Sequence, residues 1–281
     1  MSMQDLRESS ERDRLDNMLE KVAASIRQCS SALVAFSGGV DSSVVAALAQ
    51  QALEDRVVAV TINHFALRPG EIEHAAAIAR TIGIRHLSIN VDLLCLPEVK
   101  ENAIDRCYHC KKLTVGALCR LADSLQLNAV LDGSNASDLN GYRPGLKAAE
   151  EMHIVSPLRD VAKDDVRSLA RLLGLPNADK QSAACLLTSF PYGMTVTRER
   201  IARLISAERT LSEIGITRAR VRDHDGFARI EVHREEAEKV IGNSAAIAEM
   251  FAGLGFSYVT LDLEWFRSGS MDQKLNESRN R

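Results

Sequence analysis

Residues 32–42 read Ala32-Leu33-Val34-Ala35-Phe36-Ser37-Gly38-Gly39-Val40-Asp41-Ser42, and this stretch decides the fold. Its first five residues are a short apolar run, as expected of a strand buried on both faces. Ser43–Leu53 then has the composition of a helix. Two glycines between strand and helix let the backbone approach an anion with no Cβ in the way. The helix start adds free N–H groups and the positive end of its dipole. Ser37 and Ser42 supply hydroxyl donors, so Ser37, Gly38, Gly39, Val40, Asp41 and Ser42 form a candidate pyrophosphate cradle. Asp41 would repel a bare phosphate, and its presence in the cradle implies a divalent cation, Mg2+, between carboxylate and nucleotide. No Gly-Lys-Ser/Thr follows, which excludes a Walker A loop.

Working outward, strands and helices alternate. A lead helix is expected at Asn17–Arg27, strands at Ala32–Phe36, Val57–Ile62, Ile84–Val91 and Ala129–Leu131, and helices at Ser43–Leu53, Glu71–Ile82, Lys111–Leu125 and Lys163–Leu173. Short apolar strands alternating with helices predict an α/β fold, a parallel sheet with helices on both faces. Ligands of such sheets gather at the C-terminal strand ends. That places the 37–42 loop, the residues after Ile62, and Asp132-Gly133-Ser134-Asn135 together, so Asp132, Gly133 and Asn135 join the nucleotide site. Gly174-Leu175-Pro176 stops the last of these helices. The expected boundary follows, with residues 1–175 as the nucleotide domain and 176–281 as a smaller α+β domain. The second part should hold a helix at Arg198–Ile214, a hairpin of Arg218–Asp223 and Ala228–His233 turning at Asp225-Gly226, helices at Glu235–Ile241 and Ala245–Leu254, and a strand at Ser257–Leu263.

Composition narrows the function. With 281 residues, 46% of them hydrophobic, the chain exceeds the usual single domain. Lys and Arg number 35 against 38 Asp and Glu, so no global basic field gathers nucleic acid. No run approaches the roughly 18 apolar residues of a membrane span, and Met1–Asp16 lacks a signal peptide's apolar core, so a cytoplasmic location is expected. In that reducing compartment the six cysteines read as ligands, nucleophiles or core residues rather than disulfides.

Cys107 and Cys110 form a CxxC pair at a helix entrance, a spacing that serves metal sites and redox pairs alike. With a third thiolate the pair could hold a [4Fe–4S] cluster with one open iron, and Cys185 is the candidate third ligand. Cys185 alone reads equally as a functional or a structural residue. Cys29, Cys95 and Cys119 lie in apolar or helical context and read as structural. In the hairpin, an Asp225-Gly226 turn would set Arg222 opposite Arg229 and Arg220 opposite Glu231, with Ala219, Val221, Ile230 and Val232 on the buried face. Two facing arginines are costly without an anion between them, which suggests a phosphate or carboxylate site; an ordinary solvated sheet face is the alternative. Glu208, on the preceding helix, could complete the cluster with Glu231.

The SGGVDS loop resembles that of the PP-loop ATP pyrophosphatases. Together with DRCYHCKK, DGSNASDLNGYRPGLKAA, AACL followed by PYG, RVRDHDGFARIEV and GFSYVTLDLEWFRSGS, the chain resembles the LarE branch of that superfamily along nearly its whole length. The resemblance implies an ATP-dependent sulfur transferase of nickel-pincer cofactor biosynthesis. Its substrate would be pyridinium-3,5-biscarboxylic acid mononucleotide, adenylated on a carboxylate with release of pyrophosphate. Residues 1–175 would be the pyrophosphatase domain and 176–281 the substrate and sulfur-transfer domain. Sulfur would come from Cys185 itself, which is spent in one transfer, or from sulfide on a [4Fe–4S] cluster held by Cys107, Cys110 and Cys185. The presence of all three cysteines favours the cluster version. Arg220 and Arg222 match positions that grip the substrate phosphate, and Glu208 and Glu231 match acidic residues of the same region. The resemblance also implies a homo-oligomer, which the residues alone do not reveal. The chain departs from the family at Ser137, where an Asp is usual, at Gly141, also usually Asp, and at Ser189, where an Arg follows the cysteine. The competing readings are a PP-loop tRNA thiolase, which should show a broad basic surface, and an ammonia-using ligase of the NAD or GMP synthetase kind, which would not need Cys185.

Overall fold

The computed structural model describes residues 3–139, 144–181, 184–267 and 271. In chain order the first elements are α1 (Met3–Arg27), β1 (Ala32–Ala35), α2 (Val40–Leu53), β2 (Val57–Asn63), α3 (Glu71–Ile82), β3 (His86–Asn90), α4 (Pro97–Lys100) and α5 (Arg106–Ser124). There follow β4 (Ala129–Leu131), α6 (Pro144–Glu151), α7 (Lys163–Leu172), α8 (Arg198–Glu213), β5 (Ala219–Asp223), β6 (Phe227–Val232), α9 (Ala237–Gly242), α10 (Ser244–Gly253) and β7 (Tyr258–Leu261). The chain divides into two compact units. The first comprises Met1–His64, Gly70–Leu93 and Cys107–Ala183; the second comprises Phe65–Pro69, Leu94–Arg106 and Ala184–Arg281.

The first unit is built on a four-stranded sheet in the order β3-β2-β1-β4, parallel throughout. Its strands lack polar alternation because both faces are covered. Leu33, Val58, Val60 and Val130 meet Leu118 and Ala122 of α5 in one core. The intervening Ala32, Val34, Val57, Ala59 and Leu131 join a second core with α1, α2 and α7. Each fully buried Val or Leu contributes about 2 kcal/mol, so the apolar run at 32–36 is a principal anchor of the sheet. The predicted α/β class is therefore the observed one. Val155 adds an isolated parallel bridge to Leu131, which brings the residue after it to the C-terminal end of β4.

The second unit holds a three-stranded sheet in the order β5-β6-β7, with β5 and β6 antiparallel and β7 parallel to β6. Asp225 and Gly226, at φ 58 and φ 89, occupy the two centres of the hairpin turn, and His224 and Phe227 exchange backbone bonds of 2.9 and 3.4 Å across it. Positive φ at both centres is the type I′ pattern that Asp-Gly favours. The register is the expected one: Arg222 faces Arg229 and Arg220 faces Glu231. α8 packs on β5, and α10 packs on α8 and β7.

Several bounds differ from expectation. α2 starts at Val40, three residues early, and α5 starts at Arg106, so the CxxC pair lies inside the helix. α1 extends back to Met3 through a polar stretch with no apolar periodicity to announce it, supported in part by the i,i+4 pair Arg12–Asp16. The units part at 183/184 instead of 175/176, and segments 65–69 and 94–106 join the second unit. The physical reason is hydrogen bonding. Asn102 Nδ2 donates to the carbonyls of Phe190 and Pro191 at 3.0 and 2.8 Å, and Val196 N–H donates to Lys100 O at 2.7 Å.

Candidate active site

The loop of residues 37–42 sits at the C-terminal end of β1 and opens α2. Helical geometry leaves the first-turn N–H groups of Val40, Asp41 and Ser42 without intrahelical acceptors, as a phosphate requires. Ser42 Oγ ties the loop together, accepting from Ser37 N–H at 3.3 Å, meeting Ser37 Oγ at 3.1 Å and donating to Gly39 O at 3.1 Å. Gly38, at φ +68, is so close to α3 that a Cβ would stand 2.8 Å from Ala75 Cα. Its carbonyl accepts from Asn177 Nδ2 at 2.9 Å and is 3.2 Å from His74 Nε2. Asp41 Oδ2 pairs with Lys163, while Asp41 Oδ1 is buried with no hydrogen-bond partner among the described residues. An orphaned carboxylate oxygen beside a phosphate cradle fits a divalent cation.

The loop after β4 closes on this cradle. A Cβ on Gly133 would lie 2.8 Å from Ser42 N and 3.0 Å from Asp41 C, so only glycine permits the approach. Asp132, nearly fully buried, does not itself face the cradle with spare lone pairs. Its Oδ1 accepts from Ser156 Oγ and Ser134 N–H at 2.7 and 3.1 Å, and its Oδ2 from Ser134 Oγ and Lys111 Nζ at 3.0 and 3.1 Å. Burial alone would raise this carboxyl, but the Lys111 charge and the Ser156 and Ser134 hydrogen bonds outweigh it and hold it below the ordinary carboxylate range. Asp132 is thus an anchor for Lys111. Asn135 likewise shapes the loop, its Oδ1 accepting from Ser137 N–H at 3.0 Å. At the end of β2, burial pushes the His64 imidazole down to about 4, so this side chain is neutral at physiological pH.

Cys107 and Cys110 lie near the start of α5, three residues apart and so on one side of the helix. Cys107 is exposed and Cys110 half-buried; the next residue is Lys111, the partner of Asp132. Cys185 is exposed and belongs to the second unit. It immediately precedes a 3-10 turn, Leu186–Ser189, and its Sγ lies 3.8 Å from Ala66 O, which also accepts Leu186 N–H at 3.2 Å. Thr188 donates from N–H and Oγ1 to Cys185 O at 3.0 and 2.7 Å, fixing the backbone behind the thiol. Burial raises the thiols of Cys29 and Cys119, in keeping with inert core residues, whereas Cys95, expected to be structural, is exposed. Two cysteines on one helical turn suit two ligands of a cluster. Among the described residues, however, no group of three or more His, Cys, Asp or Glu side chains is placed to hold a metal ion.

The hairpin arginines divide in a way the sequence did not reveal. Arg222 and Glu231 are buried together, with Arg222 Nε and Nη2 donating to Glu231 Oε2 at 2.9 and 2.7 Å. Arg229 donates to Glu231 Oε1 at 2.9 Å. The anion between the facing arginines is therefore the Glu231 carboxylate. The polar face of the hairpin is thus closed at Arg222, against the alternative of an ordinary solvated face, and Arg222 also donates Nη1 to Thr188 O at 3.3 Å. Arg220 differs. It is half-buried, and its one hydrogen bond in the described structure runs from Nη1 to the neighbouring Ala219 O at 3.0 Å. Glu208 accepts Val221 N–H at 3.2 Å and pairs with Arg68.

With this geometry in place, comparison with known proteins is decisive at the family level. A model of the NAD synthase family matches residues 12–191. The chain belongs to the NAD synthase family. It is 38% identical over 267 residues to an uncharacterized protein of Synechocystis sp., covering 94% of this chain and all of the other. It is 36% identical over 261 residues to the pyridinium-3,5-bisthiocarboxylic acid mononucleotide synthase of Lactiplantibacillus plantarum, covering 92% of this chain and 95% of that protein. The glutamine-hydrolyzing GMP synthase of Pyrobaculum aerophilum is 30% identical over 184 residues, 58% of this chain and 36% of that one.

As an NAD synthase family member the chain is an ATP-dependent enzyme, and the LarE-type resemblance drawn from its motifs holds over nearly its full length. The family uses ATP with a metal, consistent with the open oxygen of Asp41. No helix among the described residues is long and apolar enough to cross a membrane. Sequence reasoning missed Lys163, Lys111, Ser156 and Asn177 around the cradle, and Arg68 beside Glu208. Lys163 carried a usable signal: a lysine beginning a helix, where the dipole disfavours a cation, calls for a nearby anion. The others are brought in by tertiary contacts alone.

Proposed function

We propose that this enzyme adenylates a carboxylate of pyridinium-3,5-biscarboxylic acid mononucleotide with ATP, releasing pyrophosphate, and converts the acyl adenylate to a thiocarboxylate at Cys185, acting in the cytoplasm as a homo-oligomer. The observation that carries this reading is the extent of the likeness to the plantarum synthase. It spans 92% of this chain, whereas the likeness to GMP synthase spans 58%. In this reading residues 37–42 with Gly133 hold the triphosphate, Asp41 contacts the metal, and Lys163 and Lys111 balance phosphate charge. Arg220 turns its guanidinium to the substrate phosphate, while Glu208 and Glu231 order the arginines around it.

Sulfur reaches the activated carbonyl by one of two routes. In the first, Cys185 Sγ attacks the acyl carbon and AMP leaves; removal of the Cys185 α-proton then breaks the Cβ–S bond, leaving thiocarboxylate and dehydroalanine. In the second, Cys107, Cys110 and Cys185 would be the ligands of a [4Fe–4S] cluster, which would supply the sulfide and spare the cysteine. The three thiols in one chain support the second route. Anaerobically purified protein incubated with ATP, Mg2+ and the biscarboxylate nucleotide should release pyrophosphate and yield a product heavier by exchange of oxygen for sulfur. Protein mass and bound iron and sulfide then separate the routes. Absence of a sulfur-containing product would sink the proposal. The GMP synthase likeness favours an ammonia-using ligase as the second reading, and its signature would be amide formation that survives Cys185→Ala.

A further inference from the structure

Within the first unit, the cysteine-bearing end of α5 and the phosphate cradle are joined by a short series of contacts. Lys111 stands four residues after Cys107, so the two share a face of the helix. Gly145 of α6 lies over that face: a Cβ there would be 3.6 Å from Lys111 Cβ and 3.7 Å from Cys107 O. From α5 the Lys111 ammonium reaches the end of β4 and meets the Asp132 carboxylate at 3.1 Å. Asp132 is nearly fully buried, and Lys111 is the cation paired with it among the described residues. A carboxylate so placed depends on its partner, because a lone buried charge is costly. Asp132 in turn is bound to Ser134 and Ser156, and the residue after it, Gly133, is the one pressed against Ser42 N. The series thus runs from Cys107 through Lys111, Asp132 and Gly133 to a backbone N–H of the cradle.

We propose that Lys111 is a positioning residue that couples the phosphate cradle to the CxxC turn. A triphosphate bound at the start of α2 steadies the Gly133 backbone beside it, and the Asp132–Lys111 pair passes that order to the helical turn bearing Cys107 and Cys110. Coupling of this kind travels through packed groups and ion pairs in direct contact, and every link here is one or the other. The thiols are then held in place when ATP is present to activate a carboxylate, and are looser when it is absent. The use of this coupling in sulfur transfer rests on the function proposed above; the coupling itself does not.

The test uses the full-length protein, freed of iron by chelation and kept reduced, and follows iodoacetamide labelling of the exposed Cys107 by peptide mass. Mg2+ with α,β-methylene-ATP should slow this labelling about fivefold in wild type, at the lower end of common coupling between sites, and equally in Lys111→Arg, which keeps the charge. Lys111→Met alone leaves Asp132 buried and unpaired, so it is compared with Lys111→Met/Asp132→Asn, which removes both charges and should recover the melting temperature. In the double variant calorimetry should still detect nucleotide binding, while Cys107 labels at one rate with or without it. Cys95, exposed and outside this series of contacts, is the internal standard. Labelling of Cys107 that nucleotide leaves unchanged in wild type, slows as much in the double variant, or slows no more than that of Cys95 would overturn the role of Lys111. Lys111-dependent slowing in a protein that makes no sulfur-containing product from the biscarboxylate nucleotide would uphold the coupling and overturn the functional reading instead.

Discussion

At the scale of single residues, the cradle depends on atoms that are absent. Gly133 has room for a hydrogen and no more, because a Cβ would press on Ser42 N and Asp41 C. Gly133→Ala should therefore push the β4 loop away from α2, at a cost of about 1–3 kcal/mol in stability. Pyrophosphate release should fall more steeply than stability, because the displaced backbone is that of the phosphate site. Release at the wild-type rate from a folded Gly133→Ala protein would show that the close approach has no catalytic role. The sequence made the glycines of 37–42 readable, since an apolar strand, two glycines and a helix start leave little other purpose. It did not reveal why Gly133 must be glycine, nor that Glu231 stands between Arg222 and Arg229. Those facts depend on what lies across a gap in space.

At the scale of elements, the hairpin was the most legible part of the second unit. Asp225-Gly226 between two alternating runs specifies the turn, the turn specifies the register, and the register put Arg222 opposite Arg229 as expected. Gly226 is at φ 89, and a Cβ there would meet nothing nearer than Ser257 Oγ at 3.9 Å. Its replacement by alanine should cost about 1–2 kcal/mol from backbone strain alone. Urea denaturation would measure this, and an unchanged midpoint would mean that the turn does not define the hairpin. Helix starts were less legible. The apolar pattern of α2 is continuous only after Ser42, yet the helix itself begins at Val40, a core residue isolated from that pattern by the polar Asp41-Ser42-Ser43. The early start of α5 was equally hard to read, because Arg106 to Cys110 present no apolar face to announce a helix.

At the scale of the molecule, the α/β class and the four parallel strands were readable from the alternation of short apolar runs. The division into units was not, because segments 65–69 and 94–106 join the second unit through backbone and amide hydrogen bonds that leave no compositional mark. A fragment of residues 176–281 lacks Arg68, Ala66 and Asn102, and with them partners of Glu208, Cys185 and Phe190. It should melt without cooperativity and be digested rapidly by protease, whereas the whole chain resists. A cooperative melt of the fragment would show that the borrowed segments are ornament. Their presence also bears on how such a protein can change over generations. An ATP-splitting domain whose partner is a contiguous tail can trade that tail in a single recombination event. Here three separate stretches would have to be exchanged in concert, so new acceptor specificities are more accessible to stepwise substitution within the second unit than to domain shuffling.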